Sequence, residues 1–388
     1  MTLRYSSRWL LATLSLVAFA LGCSGKKEKA EPPAKLVQFK PTLDVRRAWS
    51  AKVGGGSERL RLGLRPASDG ARVYAGSVDG HIKAWDAVTG KLIWQIKTGL
   101  PLAAGPGYGD GVLAFGSSDG DLILLDAASG EEKWRDAVGS EVLASPAIGS
   151  GIVVLRSVDG RLRGFAVRDG STVWTVDQDL PSLTVRGNTV PRLAGNVVVA
   201  GFNNGRVGAF EISNGDAAWE VAVANPSGRT ELDRLVDVSL SVQVVATEAY
   251  VVGYHGRVVG IDISTGVVLW QQDMSSFAGL SADFTTVYVT TDVDSVIALD
   301  RRAGAQVWRQ DGLRLRDVTA PARFGNTVAV GDFEGYLHFL DTGDGHFVAR
   351  ERAAKGRIVG GALVVGENVV VQGEDGTISA WTVRAGRK

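Results

Sequence analysis

Ser77-Val78-Asp79-Gly80-His81-Ile82-Lys83-Ala84-Trp85-Asp86-Ala87-Val88-Thr89-Gly90-Lys91-Leu92-Ile93-Trp94 decides the fold, because its order of turn, strand, turn and tryptophan returns along the chain. Asp79-Gly80 lies between two apolar-rich runs, and such a pair signals a two-residue hairpin turn whose residues need positive φ. The stretch from Ile82 alternates as a half-buried strand does, until Asp86 to Gly90 closes a second turn. There Asp86 is placed to accept hydrogen bonds from turn amides, and Gly90 supplies a left-handed residue. Leu92 and Trp94 are expected to face one way on the outgoing strand.

The same order recurs at Asp119-Gly120, Asp126, Gly130, Trp134, then at Asp159-Gly160, Gly170, Trp174, and at Asn204-Gly205, Gly215, Trp219. It continues through His255-Gly256, Asp262, Gly266, Trp270, then Asp300, Gly304, Trp308, then Glu334-Gly335, Asp341, Gly345, and ends at Asp375-Gly376. These are eight units, and in the first six the tryptophan follows the second-turn glycine by four residues. Packing keeps such a spacing and surface loops do not. The seventh unit carries Ala349 where the tryptophan belongs, so its seam should be packed differently.

Each unit holds enough chain for four short strands; in the second they are Leu102 to Gly107, Val112 to Phe115, Asp121 to Leu125 and Glu131 to Ala137. A four-stranded unit of roughly forty residues is a propeller blade, and blades bury their faces only against neighbours. The fold class is therefore all-β: an eight-bladed β-propeller with four antiparallel strands per blade. The ends show how the ring closes. The eighth unit breaks off after Trp381-Thr382-Val383, while Val45 to Lys52, with Trp49, is an orphan outgoing strand that would complete the last blade. Fifty glycines, two methionines and no long run with helical period agree with this reading.

At the start of the chain, Arg4 and Arg8 precede the apolar run Trp9 to Leu21, which ends in Gly22-Cys23. The run is short for a membrane span and reads as a secretory signal with a bacterial lipobox. Ala20 and Leu21 stand in the reverse of the order the lipobox prefers. Residues 1–22 are thus expected to be a lipoprotein signal peptide, with Cys23 the lipidated N-terminus and 23–40 a flexible tether carrying Pro32 and Pro33. Residues 41–388 are left as a single propeller. Ser24 after the cysteine resembles lipoproteins sorted to the outer membrane, so a lipid-anchored protein facing the periplasm is expected. Cys23 is the one cysteine, which excludes an intramolecular disulfide. Formal net charge is zero, from 42 basic and 42 acidic residues, and implies no nucleic-acid partner.

The candidates for chemistry are few. His81, His255, His338 and His346 are scattered among blades without metal-site spacing, so no metal ligands are assigned. The repeated aspartates Asp86, Asp126, Asp262 and Asp300 sit at turn positions and read as turn caps. The glycines are spaced as turns; neither a nucleophile elbow nor a phosphate loop is visible. The tryptophans read as inter-blade packing in preference to a carbohydrate or quinone platform.

The run from Asp-Gly through Asp-x-x-Thr-Gly to Trp resembles the repeat of pyrroloquinoline-quinone enzymes and their non-catalytic relatives. Together with the lipobox and Val53-Gly54-Gly55-Gly56 after Trp49, residues 23 to 383 resemble the BamB family of outer-membrane β-barrel assembly lipoproteins. That resemblance implies a non-catalytic scaffold without cofactor, binding the periplasmic domains of the barrel-forming subunit BamA through two loops. The first matches Leu183-Thr184-Val185-Arg186-Gly187, with Val185 in place of the usual leucine; the second matches Arg234-Leu235-Val236-Asp237-Val238-Ser239, with Ser239 in place of a second acid. Leu183, Val185, Arg186 and Asp237 are the implied partner-binding residues.

Spacing singles out the same places. From blade tryptophan to the next unit's second strand takes 22 residues after Trp94 (to Gly116), 27 after Trp174 (to Gly201) and 34 after Trp219 (to Gly253). Long loops on a rigid scaffold are where binding residues concentrate. Two other functions compete: a quinoprotein-like dehydrogenase, for which the vicinal cysteine pair of many such enzymes is impossible here, and a direct binder of nascent outer-membrane proteins by β-augmentation at a blade edge. A cell-envelope sensor or polysaccharide-associated propeller is a third.

Overall fold

The structure is a computed structural model that describes residues 31–385, apart from 58, 59, 61, 185–188, 226–228, 231–235 and 239–241; for Asp237 and residues 384–385 it describes the backbone alone. Residues 33–388 form one unit. Its strands make eight sheets, each built on four antiparallel strands, in sequence order in all but the last. The first blade is Ala67–Ser68, Arg72–Gly76, His81–Asp86 and Leu92–Lys97; the second is Leu102–Gly109, Val112–Ser117, Asp121–Asp126 and Glu132–Ala137. The last blade takes three strands from the C-terminus, Ile358–Val365, Asn368–Gly373 and Thr377–Ala385, and its fourth from the N-terminus, Leu43–Lys52. That fourth strand pairs antiparallel with Thr377–Ala385 from Leu43↔Ala385 to Lys52↔Thr377, so both ends of the array are covered.

The hairpin at Asp79-Gly80 differs in detail from the two-residue turn. Only Gly80 has positive φ, 84°; the Gly80 N–H donates to the Ser77 carbonyl at 3.0 Å and Ser77 N–H to His81 carbonyl at 2.9 Å. This is a three-residue loop with a left-handed glycine last, and its bulge preserves the strand twist as a primed turn would. The second turn is as expected. Asp86 Oδ1 accepts from the backbone N–H of Val88 at 3.2 Å and of Thr89 at 2.7 Å.

The blade seams are built from one contact repeated around the ring. A Cβ added to Gly130 would lie 2.7 Å from the Trp94 ring of the preceding blade, and at Gly170, Gly215, Gly266, Gly304 and Gly345 it would meet Trp134, Trp174, Trp219, Trp270 and Trp308. Trp49 packs on Gly90 in the same way, which joins the last blade to the first. Each indole also donates its Nε1–H to a carbonyl of the next blade: Trp49 to Ala87 at 3.0 Å, Trp94 to Ala127 at 3.1 Å, Trp174 to Ile212 at 2.7 Å. The ring face thus gains apolar burial while its one polar group is satisfied. The expectation that Leu92 and Trp94 share a face does not hold. Ala84 pairs with Trp94 but Trp85 with Leu92, so Ile93 is an extra residue, and Leu92 is exposed. A bulge that re-aims the following side chain is the physical reason.

At the seventh seam Ala349 pairs with Phe339 behind the same bulge and is buried against Val45, Ile358 and Trp381. Trp381 donates to Ser379 of its own strand at 2.9 Å, and Arg47 lies over its ring at 6.0 Å.

Outside that blade, the chain before the first strand is held in place. Ala34 N–H donates to the Arg314 carbonyl at 2.9 Å and Thr42 N–H to the Val348 carbonyl at 2.9 Å. Phe39 stacks on Phe347 at 5.6 Å, and Arg350 lies over Phe39 at 5.0 Å while donating to the Val37 carbonyl at 3.0 Å. Behind Arg350, fully buried His338 accepts the Arg350 Nε–H at Nδ1, 3.0 Å away, and so donates from Nε2 to Asp332, also at 3.0 Å. Arg316 completes the group, with Nε on Asp332 at 2.9 Å and Nη1 on the Ala34 carbonyl at 3.0 Å. Burial pushes the His338 pKa down, aided by Arg350 and Arg316 and opposed by Asp332. Burial also works against the Asp332 carboxylate, but hydrogen bonds from His338, the Tyr336 N–H and Arg316 outweigh it and hold its pKa below the usual range.

Two outcomes follow. Gly266→Ala, at φ 72° with a Cβ 2.7 Å from Trp219, is expected to cost about 1–3 kcal/mol by overpacking alone, read as a lower urea midpoint. Because the folded His338 has a lowered pKa, the unfolded chain takes up a proton from about pH 6.5 downward that the folded chain refuses. Stability should therefore fall on acidification below that point, by up to about 1.4 kcal/mol per pH unit from this group, and His338→Gln should flatten the fall between pH 6.5 and 5.5 in urea titrations.

Candidate functional site

The two long loops leave a rigid base. After the outer strand of the third blade, Thr172–Val176, Gln178 reaches across to the fourth blade, donating to Glu220 at 2.8 Å and accepting from Asn204 at 3.3 Å. Leu180 folds over Gly160, whose added Cβ would lie 2.9 Å from it. Leu183 follows with 48 % of its surface exposed. Val185 and Arg186 lie outside the described residues, as does Cys23. The loop returns to the body at Thr189 and Val190, both buried.

The second loop returns as a short strand, Asp237–Val238, which pairs antiparallel with Tyr254 and Gly253 at the start of the fifth blade's hairpin. Val236 and Val238 are buried, and Val238 fills the space against Gly201, where a Cβ would meet it at 2.4 Å. The bases of the two loops meet: Thr189 Oγ1 donates to the Val238 carbonyl, while the Val238 N–H donates to the Phe202 carbonyl at 3.3 Å. The structure thus brings the Asp237 backbone beside the end of the loop that carries Leu183. Arg234 and Ser239 lie outside the described residues.

One feature of this neighbourhood escapes the sequence. Tyr254, the pairing partner of Asp237, is stacked between His255 at 3.9 Å and Phe277 at 3.8 Å, and Phe277 is 39 % exposed. The three come from a hairpin turn and from the chain after the next outer strand, so no local pattern links them. The one local signal is His255 itself, a non-glycine residue at φ 47°.

The turn aspartates are engaged as caps. Asp126 accepts from Ala128 and Ser129 amides at 2.9 Å, Asp262 from Ser264 and Thr265 amides at 3.0 Å, and Asp300 from the Arg302 amide at 3.0 Å. These bonds pull the Asp126 and Asp262 carboxyls below their ordinary range, led by the Ser129 amide and the Ser264 hydroxyl respectively. Such groups are permanent acceptors with no proton to give near neutrality. The histidines are placed separately: His81 is 2.9 Å from Asp79, His346 3.1 Å from Asp344, and His338 is buried on Asp332. Among the described residues no group of three or more His, Cys, Asp or Glu is placed to hold a metal ion.

The profile of the family described as "Outer membrane protein assembly factor BamB" matches residues 41–102, 78–310 and 294–388. The chain belongs to that family. It is 42 % identical to the Pseudomonas aeruginosa outer membrane protein assembly factor BamB over 97 % of this chain and 100 % of the relative. With the Burkholderia pseudomallei BamB the identity is 33 %, over 98 % and 99 %. The crystal structure of BamB from Moraxella catarrhalis superposes with a TM-score of 0.79 at 26 % identity, covering 87 % of this chain and 100 % of that one. The quinohemoprotein alcohol dehydrogenase of Comamonas testosteroni superposes at 0.66 with 12 % identity, over 89 % and 77 %, and shares the fold alone. The family is thus one of assembly factors, and the enzyme likeness ends at the propeller.

Proposed function

We propose that this protein is a non-catalytic scaffold subunit of an outer-membrane protein assembly complex, held at the membrane by a lipidated Cys23 and facing the periplasm. It would bind the periplasmic domains of the barrel-forming subunit BamA through the loops that carry Leu183, Val185, Arg186 and Asp237. The observation that supports this most directly is the joined base of the two loops. Thr189 and Val238 tie together the two places where the chain departs from its repeat, so one partner surface can engage both. A rigid base also lowers the ordering cost of binding. Exposed Leu183 supplies an apolar anchor, and Arg186 the chemistry for a bidentate pair with a partner carboxylate.

A second reading, direct binding of nascent outer-membrane proteins, is favoured by the outer strands of the fifth and sixth blades. Leu269 and Val307 are 48 % and 57 % exposed there, and Val267, just before the first of these strands, is 57 % exposed, beside strand edges able to accept an added strand.

Leu183→Glu or Arg186→Ala should weaken capture of the integral β-barrel partner from membrane extracts about tenfold or more, a loss of at least about 1.4 kcal/mol, with the thermal midpoint nearly unchanged. Capture at wild-type levels by both variants would exclude this site. Photoreactive residues at 183 and 269 separate the two readings. Crosslinks to BamA from 183 alone support the scaffold, and crosslinks to unfolded barrel precursors from 269 support β-augmentation.

A further inference from the structure

The innermost strands of seven blades, with the chain just before that of the seventh blade, line a central cavity of about 1020 Å³, and its use does not follow from the loops. Its wall is largely apolar, with Pro146, Ile148, Val190, Pro191 and Leu193 on the side of the third and fourth blades. The chain between the last blade's closing strand and the first blade folds inward onto this wall. Gly63 and Leu64 pair parallel with Ala104 and Gly105, Ser145 Oγ donates to the Gly63 carbonyl at 3.1 Å, and the Leu143 carbonyl lies where a Gly63 Cβ would be, 2.1 Å away. That seating delivers the next residue, Arg65, to the cavity, and the Arg65 N–H is fixed on the Gly105 carbonyl at 3.1 Å.

Arg65 shares the cavity with Arg192, from the first strand of the fourth blade. Among the described residues neither guanidinium has an ion-pair partner, and Arg192 Nε is buried without a hydrogen bond. The third arginine of the wall is different: Arg357 pairs with Asp317 at 2.5 Å. The carboxylates of the wall stand with it on the side of the sixth and seventh blades. Asp294 accepts from the backbone N–H of Asp317 at 2.7 Å and of Val318 at 2.9 Å, and Asp292 faces Tyr254. Burial brings the Arg65 pKa down to about 9, with repulsion from Arg192 adding to it, and burial also lowers that of Arg192. Both residues are half-buried on the one wall, and a guanidinium whose Nε is shut off from water without a partner is costly to the empty protein. A bound anion removes that cost.

We propose that Arg65 and Arg192 form an anion site inside the central channel, which takes the carboxylate of a small organic acid between the two guanidiniums and lays its apolar part on Ile148, Val190 and Leu193. The forked donors of two arginines suit a planar carboxylate, and Pro146, Ile148, Val190, Pro191 and Leu193 beside Arg192 suit an apolar remainder. The site uses none of Leu183, Val185, Arg186 and Asp237, so its occupant would share the protein with the partner.

The test uses 4-phenylbutyrate, its neutral amide and inorganic phosphate, each titrated into the full chain at constant ionic strength. Binding is read by calorimetry and by the thermal midpoint. The acid is expected to bind and raise the midpoint, the amide and phosphate to bind at least tenfold more weakly, and Arg65→Met and Arg192→Met each to weaken the acid tenfold or more. Without ligand, both variants should melt at or above the wild type, because a repulsion has been removed. Equal binding of acid and amide, or binding retained in both variants, overturns the proposal. So does a variant that melts several degrees below the wild type, since its arginine would then be part of the wall's own structure.

Discussion

The seat of a tryptophan from one blade on a glycine of the next is the contact on which the structure depends. It does three things at once. The ring buries a large apolar face against a backbone with no side chain in the way, the indole N–H finds a carbonyl of the neighbouring turn, and the glycine holds the left-handed turn that places that carbonyl. Trp174 shows all three together, on Gly215 and on the Ile212 carbonyl at 2.7 Å. Truncating such a ring in a core costs about 3–5 kcal/mol. Seven such seats around a ring exceed the net stability of an ordinary domain, which the entropy of ordering the chain offsets. A solenoid of the same blades would leave two faces bare. Closure through Leu43–Lys52 converts those faces into one more seam of the same kind, with Trp49 on Gly90.

The architecture was legible because it is repeated. A pattern seen once in Asp79 to Trp94 says only hairpin; seen in register eight times, it specifies blades, their number and the strand that closes them. The two long loops were legible as departures from the period. What the sequence hid has physical causes. The bulge at Ile93 is a register shift, and an alternating pattern of apolar residues reads the same on either side of it. The hairpin at Ser77 uses a left-handed glycine after a three-residue loop, and Asp-Gly is compatible with that or with a two-residue turn. Phe39 and Arg350 are more than three hundred residues apart along the chain, and only the closed ring brings them to one surface. The same is true of Arg65 and Arg192, which look like ordinary solvated arginines until the inner strands enclose them.

The seventh blade shows how a seam works when its tryptophan is missing. Ala349 keeps the bulge and the register, so the backbone of the blade is indifferent to the substitution. What changes is the packing. Val45 and Trp381 come in from the closing blade, and the chain before the first strand lies along the outside with Phe39 on Phe347. Polar groups beneath, Asp332, His338, Arg316 and Arg350, are joined hydrogen bond to hydrogen bond, as burial requires, and two of them reach out to the carbonyls of Ala34 and Val37. The chain from Ala34 is thereby fixed to the ring well before the strand Leu43–Lys52 begins.

Regularity also decides where function can sit. Asp86, Asp126, Asp262 and Asp300 are each spent on two amides, and each seam tryptophan on a glycine and a carbonyl, so these repeated residues are taken up by the fold. What the repeat does not use is the described base of the two loops with Leu183, the aromatic column of His255, Tyr254 and Phe277 beside Asp237, and the channel arginines. The first two lie together, because Asp237 pairs with Tyr254. The arginines lie in the cavity that the ring encloses, with Phe277 on its lining as well as in the column. That residue is the physical link between the outer surface and the channel.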